Sequence, residues 1–385
     1  MPKNKKIILV VTGTRAEYGL LESTIKEIMK SKKLELRLLV TGMHTLKRYG
    51  LTINEIKKDK LPITKVVKIK ERSDMLDALA QEIIGIKKYC EKNRPDLILV
   101  LGDRDEPFAA AITGGHLGIP VGHIHGGDVS GAVVDDYIRH AITKFSHLHF
   151  TASKYSRQRV LKLGEEKWRV FNVGAPGWDN LKEEKYLNRQ ELADKFKLDK
   201  NKKWFLVLQH PAPLENISVI RQITPTLKAI ARHDAEKIII YPNSDTGSDI
   251  IARTINNYRG RKNYHINKSL ERKVYLSFLK HGDLLIGNSS SGIIESGFFK
   301  LPTVNIGNRQ SGRETGRNVI HAGYEEKGIT RAISRALSAD FRENIKMENN
   351  IYGSGAAGKK IVKILERVAY DHKLLAKKFT YAKIK

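Results

Sequence analysis

A single cysteine, Cys90, stands among 385 residues. No internal disulfide framework can therefore hold the fold, and such usage suits a reducing compartment. Its place in a helical segment marks it as a passive residue. No apolar run approaches the roughly 20 residues that span a bilayer. The charged start Met1-Pro2-Lys3-Asn4-Lys5-Lys6 leads into a strand pattern without the apolar stretch and cleavage site of a signal peptide. A cytoplasmic protein with no membrane partner is expected. Acidic residues are scarce beside basic ones, 42 against 69, for a formal net charge of +27. Such a balance raises the question of nucleic acid. The lysines are scattered, however, and neither zinc-ligand spacing nor an RNA-binding aromatic signature accompanies them. No nucleic-acid partner is expected; a field that steers a small anionic substrate fits better. The Gly-x-Gly-x-x-Gly fingerprint is missing, so a nicotinamide cofactor is unsupported and none is expected. His123, His125, His147 and His149 alternate along strand patterns but lack the helical spacing of a hydrolytic zinc site, so no metal is expected.

What is present suffices for two cores. Hydrophobic residues make up 41% of a chain too long for one ordinary core. Strand patterns at 7–11, 36–40, 97–101, 121–124, 149–151 and 170–173 alternate with helical ones in the first half. The second half starts afresh with strands at 204–208, 237–241, 284–287 and 303–306. The fold class expected is α/β, with two Rossmann-like doubly wound domains facing across a cleft. Gly174-Ala175-Pro176-Gly177 concentrates glycine and proline and is the candidate hinge. The domains expected are 1–176, 177–358 for the nucleotide-binding half, and a C-terminal helix with 359–385 that packs back on the first domain.

Chemistry concentrates at the ends of these strands. Leu97-Ile98-Leu99-Val100-Leu101 runs abruptly into Gly102-Asp103-Arg104-Asp105-Glu106, and Val121 to Ile124 into His125-Gly126-Gly127-Asp128. Open α/β sheets place their ligands at the carboxyl ends of such strands. His210-Pro211 ends another strand, with proline fixing the histidine at the crevice. Gly287-Asn288-Ser289-Ser290-Ser291-Gly292 is expected to open a helix whose free amides and serine hydroxyls hold a diphosphate. Glu295, one turn along, would repel phosphate and suits ribose hydroxyls. Thr12-Gly13-Thr14-Arg15 offers a second such turn, with an arginine able to grip phosphate oxygens.

These residues, with Val40-Thr41-Gly42-Met43-His44, Asp135-Asp136-Tyr137-Ile138-Arg139-His140, Gln209-His210-Pro211 and Gly307-Asn308-Arg309-Gln310-Ser311-Gly312-Arg313, resemble the hydrolysing UDP-N-acetylglucosamine 2-epimerases. The resemblance covers almost the whole chain. It implies a fold shared with one large class of nucleotide-sugar glycosyltransferases, a nucleotide-sugar substrate, and a homodimer or homotetramer. It further implies that Arg15, Asn243, Ser289, Ser290, Glu295 and Arg309 form the nucleotide-diphosphate site. His44, Asp103, Arg104, Asp128, Asp135 and His210 would form the sugar and catalytic site. Of these, Asp103, Asp128, Asp135 and His210 would carry the chemistry; which carboxylate is the base is open.

The implied reaction removes the C2 proton, expels UDP from C1 to leave a glycal, and adds water with inversion at C2. The free manno-configured sugar, N-acetylmannosamine or a 2,4-diacetamido analogue, then leaves. At position 125 the resemblance departs from animal and non-hydrolysing relatives, where a glutamate stands. His125, grouped with the substrate-binding residues, remains able to do acid or base work near neutrality. Three alternatives compete: a non-hydrolysing epimerase, a glycosyltransferase, which would need an acceptor, and a non-catalytic nucleotide-sugar sensor.

Overall fold

Runs of apolar residues that alternate between two cores build the first sheet. Ile8 and Val10 of one strand, and Leu97 and Leu99 of another, enter one core with Leu21, Ile25 and Ile28. Their neighbours Leu9, Val11, Ile98 and Val100 face the opposite core with Ile86, Ala110 and Ile142. Burial on both faces is why these strands read as unbroken apolar runs. The computed structural model describes residues 5–129, 133–213, 215–242, 246–347 and 350–380. Its chain divides into two units, Met1–Lys182 with Tyr352–Lys385, and Glu183–Ile351.

The first unit contains β1 (Lys6–Thr12), β2 (Leu34–Val40), β3 (Ile63–Val66), β4 (Leu97–Leu101), β5 (Val121–Ile124), β6 (Leu148–Thr151) and β7 (Val170–Asn172). All pair in parallel, in the order β3-β2-β1-β4-β5-β6-β7. The second contains β8 (Lys203–Leu208), β9 (Ala235–Ile240), β10 (Tyr264–Asn267), β11 (Leu284–Gly287), β12 (Thr303–Ile306) and β13 (Val319–Ala322). Their order, β10-β9-β8-β11-β12-β13, repeats the first six positions of the other sheet. Each unit is thus a doubly wound Rossmann-like sheet, as the sequence led us to expect. The strand order reverses between β1 and β4 in one sheet and between β8 and β11 in the other, and ligands bind at such switch points.

Three strands escape the sequence patterns: β3, β10 and β13. All lie at sheet edges, and most of their residues are only half-buried. An edge strand has one partner and needs no continuous apolar run, so its pattern is weak.

The C-terminal helix Ala357–Arg367 joins the first unit. Ile361 and Leu365 enter the core of β1 and the helix Arg15–Lys30. The Asp179 carboxylate accepts from the amides of Ala357 (2.9 Å) and Gly358 (2.7 Å), capping that helix. Farther on, the buried Arg169 guanidinium donates to the carbonyls of Leu374 (2.6 Å), Lys373 (2.9 Å) and Ala376 (3.2 Å). The glycine-rich segment expected as a hinge lies inside this unit, where the Ala175 amide donates to the Tyr352 carbonyl at 2.8 Å. Among the described residues, no helix is long and apolar enough to cross a membrane.

Candidate functional site

In the first unit, one arginine organises the adjacent tips of β4 and β5. Arg139, on the helix Val133–Phe145, is buried at 4% exposure. Its Nη2 pairs with Asp103 Oδ2 and its Nη1 with Asp136 Oδ1. Nη1 also donates to the Asp128 carbonyl at 2.9 Å. A guanidinium is always charged and presents a rigid fork of donors, which suits it to gathering two acidic loops. His123, below the tip, binds the Gly102 carbonyl through Nε2 at 2.8 Å. Burial pushes its pKa down to about 3, so the ring is neutral and braces the loop that carries Asp103.

On the β5 tip, His125 Nδ1 lies 2.7 Å from Asp128 Oδ2, and Ser156 Oγ donates to Asp128 Oδ1 at 2.6 Å. Arg104 stands on the β4 tip, 3.4 Å from Glu106 Oε2 through its Nε. Asp135 is exposed in the first turn of the Arg139 helix. Asp103, Arg104, His125 and Asp128 therefore lie at two neighbouring strand ends, where the apolar runs stop, whereas Asp135, which the resemblance implies, lies on the helix that follows β5. The sequence pattern does not single out Arg139 or Ser156. Asp136 and Arg139 at i, i+3 are a readable signal for the first, whereas nothing in the sequence links Ser156 to Asp128.

Arg15 and His44 have other engagements. Arg15 opens the helix after β1 and pairs with Glu55 at 3.0 Å, while 68% of its side chain stays exposed. His44 is fully buried, with Nε2 3.2 Å from Thr12 Oγ1 and Nδ1 2.8 Å from Thr52 Oγ1. Burial lowers its pKa to about 4. A neutral ring with both nitrogens engaged braces the loops after β1 and β2 and leaves no nitrogen for a sugar. Below it, Glu106 packs so closely that a Cβ on Gly13 would stand 2.2 Å from Glu106 Cγ, which explains the glycine in the Thr12-Gly13-Thr14 turn. Glu17, Glu82 and Glu106 are all buried here, and burial is the main force raising each of their pKa values.

In the second unit, Asn288 joins the loops after β8, β11 and β12. Its Oδ1 accepts from the His210 amide at 2.7 Å, and its Nδ2 donates to the His210 carbonyl at 2.9 Å. The Asn288 carbonyl accepts from Arg309 Nη1 (3.3 Å) and Gln310 Nε2 (2.9 Å). His210, Ser289 and Arg309 are thereby brought to one crevice, with Ser290 next in the chain. In the sequence, Asn288 stands out only as part of the Gly287–Gly292 motif. Asn243 lies outside the described residues.

One expectation needs correction. The serines do not open a long helix: Ser290–Gly292 is a single 3-10 turn, and Glu295 begins a separate four-residue helix, Glu295–Phe298. Gly287, at φ +137, sets this course, because a Cβ there would fall 1.9 Å from the Leu208 carbonyl oxygen. The turn offers amides and hydroxyls, with Ser289 Oγ 3.2 Å from Ser291 Oγ and Tyr275 bonded to Ser291, but little macrodipole. Glu295 is thus a first-turn residue; burial raises its pKa, while Arg272 and Arg313 pull it down. No group of three metal-binding side chains occurs among the described residues.

The sequence pattern of the UDP-N-acetylglucosamine 2-epimerase family matches residues 26–366. A Legionella pneumophila protein described as UDP-N,N'-diacetylbacillosamine 2-epimerase (hydrolyzing) is 38% identical, over 96% of this chain and 98% of its own. The Escherichia coli polysialic acid biosynthesis protein P7 is also 38% identical, over 90% of each chain. Among solved structures, the Neisseria meningitidis UDP-GlcNAc 2-epimerase bound to UDP-GlcNAc superposes with a TM-score of 0.75 at 18% identity, covering 93% of this chain and 99% of that one. Strand tips bearing Asp103, His125 and Asp128, and a crevice joining His210, Asn288 and Arg309, thus sit in a chain that belongs to the UDP-N-acetylglucosamine 2-epimerase family.

Proposed function

We propose that this protein is a hydrolysing 2-epimerase. It converts a UDP-N-acetylglucosamine-type nucleotide sugar, through a glycal, to UDP and the free manno-configured sugar. The observation that carries the chemistry is the Arg139 fork, which fixes Asp103 beside the His125–Asp128 loop. A C2–H next to an acetamido group is weakly acidic, so its base must be held tightly in place. Asp103, with 24% of its side chain exposed, meets that need and is assigned as the C2 base. Arg104 and Asp135 flank it as sugar-binding and acid candidates.

In the second unit, Arg309, Ser289 and Ser290 are assigned to the diphosphate, where donors offset the charge that develops as UDP departs. Glu295 is assigned to the ribose and His210 to the sugar. No step requires a metal or a cofactor. The 38% identity to a hydrolysing diacetylbacillosamine epimerase favours a 2,4-diacetamido sugar as substrate. Similarity to a polysialic acid biosynthesis protein supports N-acetylmannosamine, made for sialic-acid-like sugars. A cytoplasmic homodimer or homotetramer completes the proposal.

Incubation with UDP-N-acetylglucosamine and UDP-N,N'-diacetylbacillosamine tests it, with nucleotide and sugar products followed by NMR. Release of UDP with free 2-epimerised sugar from either is the expected result. A UDP-linked epimer would mean a non-hydrolysing enzyme, and binding without turnover would mean a sensor.

A further inference from the structure

We propose that His125, acting from Nε2, is the base that activates the water added at C1, and that Asp128 is its positioning residue. This rests on the hydrolytic reading above. His125 follows the last residue of β5 with φ +66, a left-handed conformation that a residue other than glycine seldom adopts. Its amide still donates to the Phe150 carbonyl at 3.1 Å, so the turn begins from a fixed strand end.

The ring is then locked. A carboxylate only accepts, so the 2.7 Å contact to Asp128 Oδ2 places the proton on Nδ1 and leaves the lone pair on Nε2. Asp128 is held in turn by Ser156 Oγ (2.6 Å), itself 2.9 Å from Ser153 Oγ. Arg139 grips the Asp128 carbonyl at 2.9 Å, and Arg159 the Gly127 carbonyl at 3.0 Å. Each Asp128 oxygen already accepts a hydrogen bond from the protein. The carboxylate expected to act on substrate therefore serves the imidazole instead. His125 Nε2 has no hydrogen-bond partner among the described residues, although the ring is largely buried, with 13% of the side chain exposed. A buried nitrogen left unpaired beside a carefully oriented partner is the arrangement of a base awaiting its proton.

The stereochemistry decides which proton. Inversion at C2 requires that one face lose a proton and the opposite face gain one. Asp103 and the loop that carries His125 are tied to a single guanidinium, directly and through the Asp128 carbonyl, and follow neighbouring strands that lie about 5 Å apart. Two groups so placed approach a bound sugar from one side, so they serve two adjacent centres. Asp103 takes the C2 proton; its electron pair forms the C1=C2 bond as the C1–O bond breaks towards UDP. In the second half, an acid on the far face delivers a proton to C2, and water's oxygen bonds to C1. The proton that this oxygen must shed passes to His125 Nε2, and the Asp128 carboxylate balances the imidazolium. His125 and Asp103 then return their protons to solvent, while the far-face acid regains one.

His125→Asn is the informative variant, since asparagine tolerates the left-handed backbone and cannot act as a base. With UDP-N-acetylglucosamine, we expect free sugar to fall on the order of 100-fold or more, the usual loss for a missing general base. UDP release should persist, and the unsaturated 2-acetamidoglucal should accumulate. The same glycal, offered directly, should be hydrated by the wild type and not by the variant. Asp128→Ala should reproduce the uncoupling through kcat at unchanged KM, and Asp128→Asn, which keeps an acceptor for Nδ1–H, should recover part of it. UDP and sugar falling together in His125→Asn, with no glycal and UDP affinity retained, would overturn the assignment. A wild-type enzyme that releases neither product from UDP-N-acetylglucosamine or from UDP-N,N'-diacetylbacillosamine would overturn the hydrolytic reading and this inference with it.

Discussion

Replacing Glu82 by glutamine should make the first unit more stable at neutral pH and flatten its dependence on pH. Glu82 is 1% exposed, on the helix Met75–Lys92, and burial is the largest cause that moves its carboxyl from 4.5 to about 9, with Glu106, Asp105 and Glu17 adding to the rise. Below pH 4.5 the folded and unfolded chains both hold the proton, and the group is neutral in the balance. Above that, the unfolded chain loses the proton while the folded chain keeps it, so stability falls as pH rises through this window. The loss is about 1.4 kcal/mol per pH unit, or about 3 kcal/mol by pH 7 as an upper bound. Glutamine keeps the shape and cannot titrate. Urea unfolding at pH 5, 7 and 8.5, followed through the buried Trp178, should show the variant gaining on the wild type as pH rises. A constant difference across the range would refute the reasoning, since it would mean that Glu82 is ionised in the fold.

Asp103→Asn should abolish turnover and leave UDP affinity, measured by calorimetry, nearly unchanged; equal loss of both would make Asp103 structural. Gly13→Ala should cost about 1–3 kcal/mol of stability by overpacking against Glu106, and thermal melts with an activity assay will show whether both fall. Arg169→Met removes the donors that hold Leu374, Lys373 and Ala376, at a cost of about 3 kcal/mol or more; protease should then trim the C-terminal segment first. Activity should survive a strong chelator, because acid, base and phosphate clamps are all that the elimination needs. Its loss, restored by one divalent ion, would contradict the site as assigned.

The sequence by itself determined the two-sheet architecture. β4 and β11 are bounded where the apolar runs end, because a strand buried on both faces must be apolar throughout and must stop where charge begins. It also placed Asp103, His125 and His210 at strand ends, since a doubly wound sheet puts there whatever follows each run. Edge strands β3, β10 and β13 were not legible, because a single partner makes no demand for a continuous pattern. Tertiary structure alone decided how the site residues divide their work. The resemblance implies that His44 is a sugar ligand, but the hydroxyls of Thr12 and Thr52 take both its nitrogens. Asp128 reads as an acid or base, yet Ser156, 28 residues away, and His125 occupy its two oxygens. Arg139 reads as one more charge on a helix until the fold carries its guanidinium to Asp103, 36 residues earlier. Hydrogen bonds across such separations depend on which strands become neighbours. Local pattern does not encode that, because it is settled only when both faces of the sheet are buried.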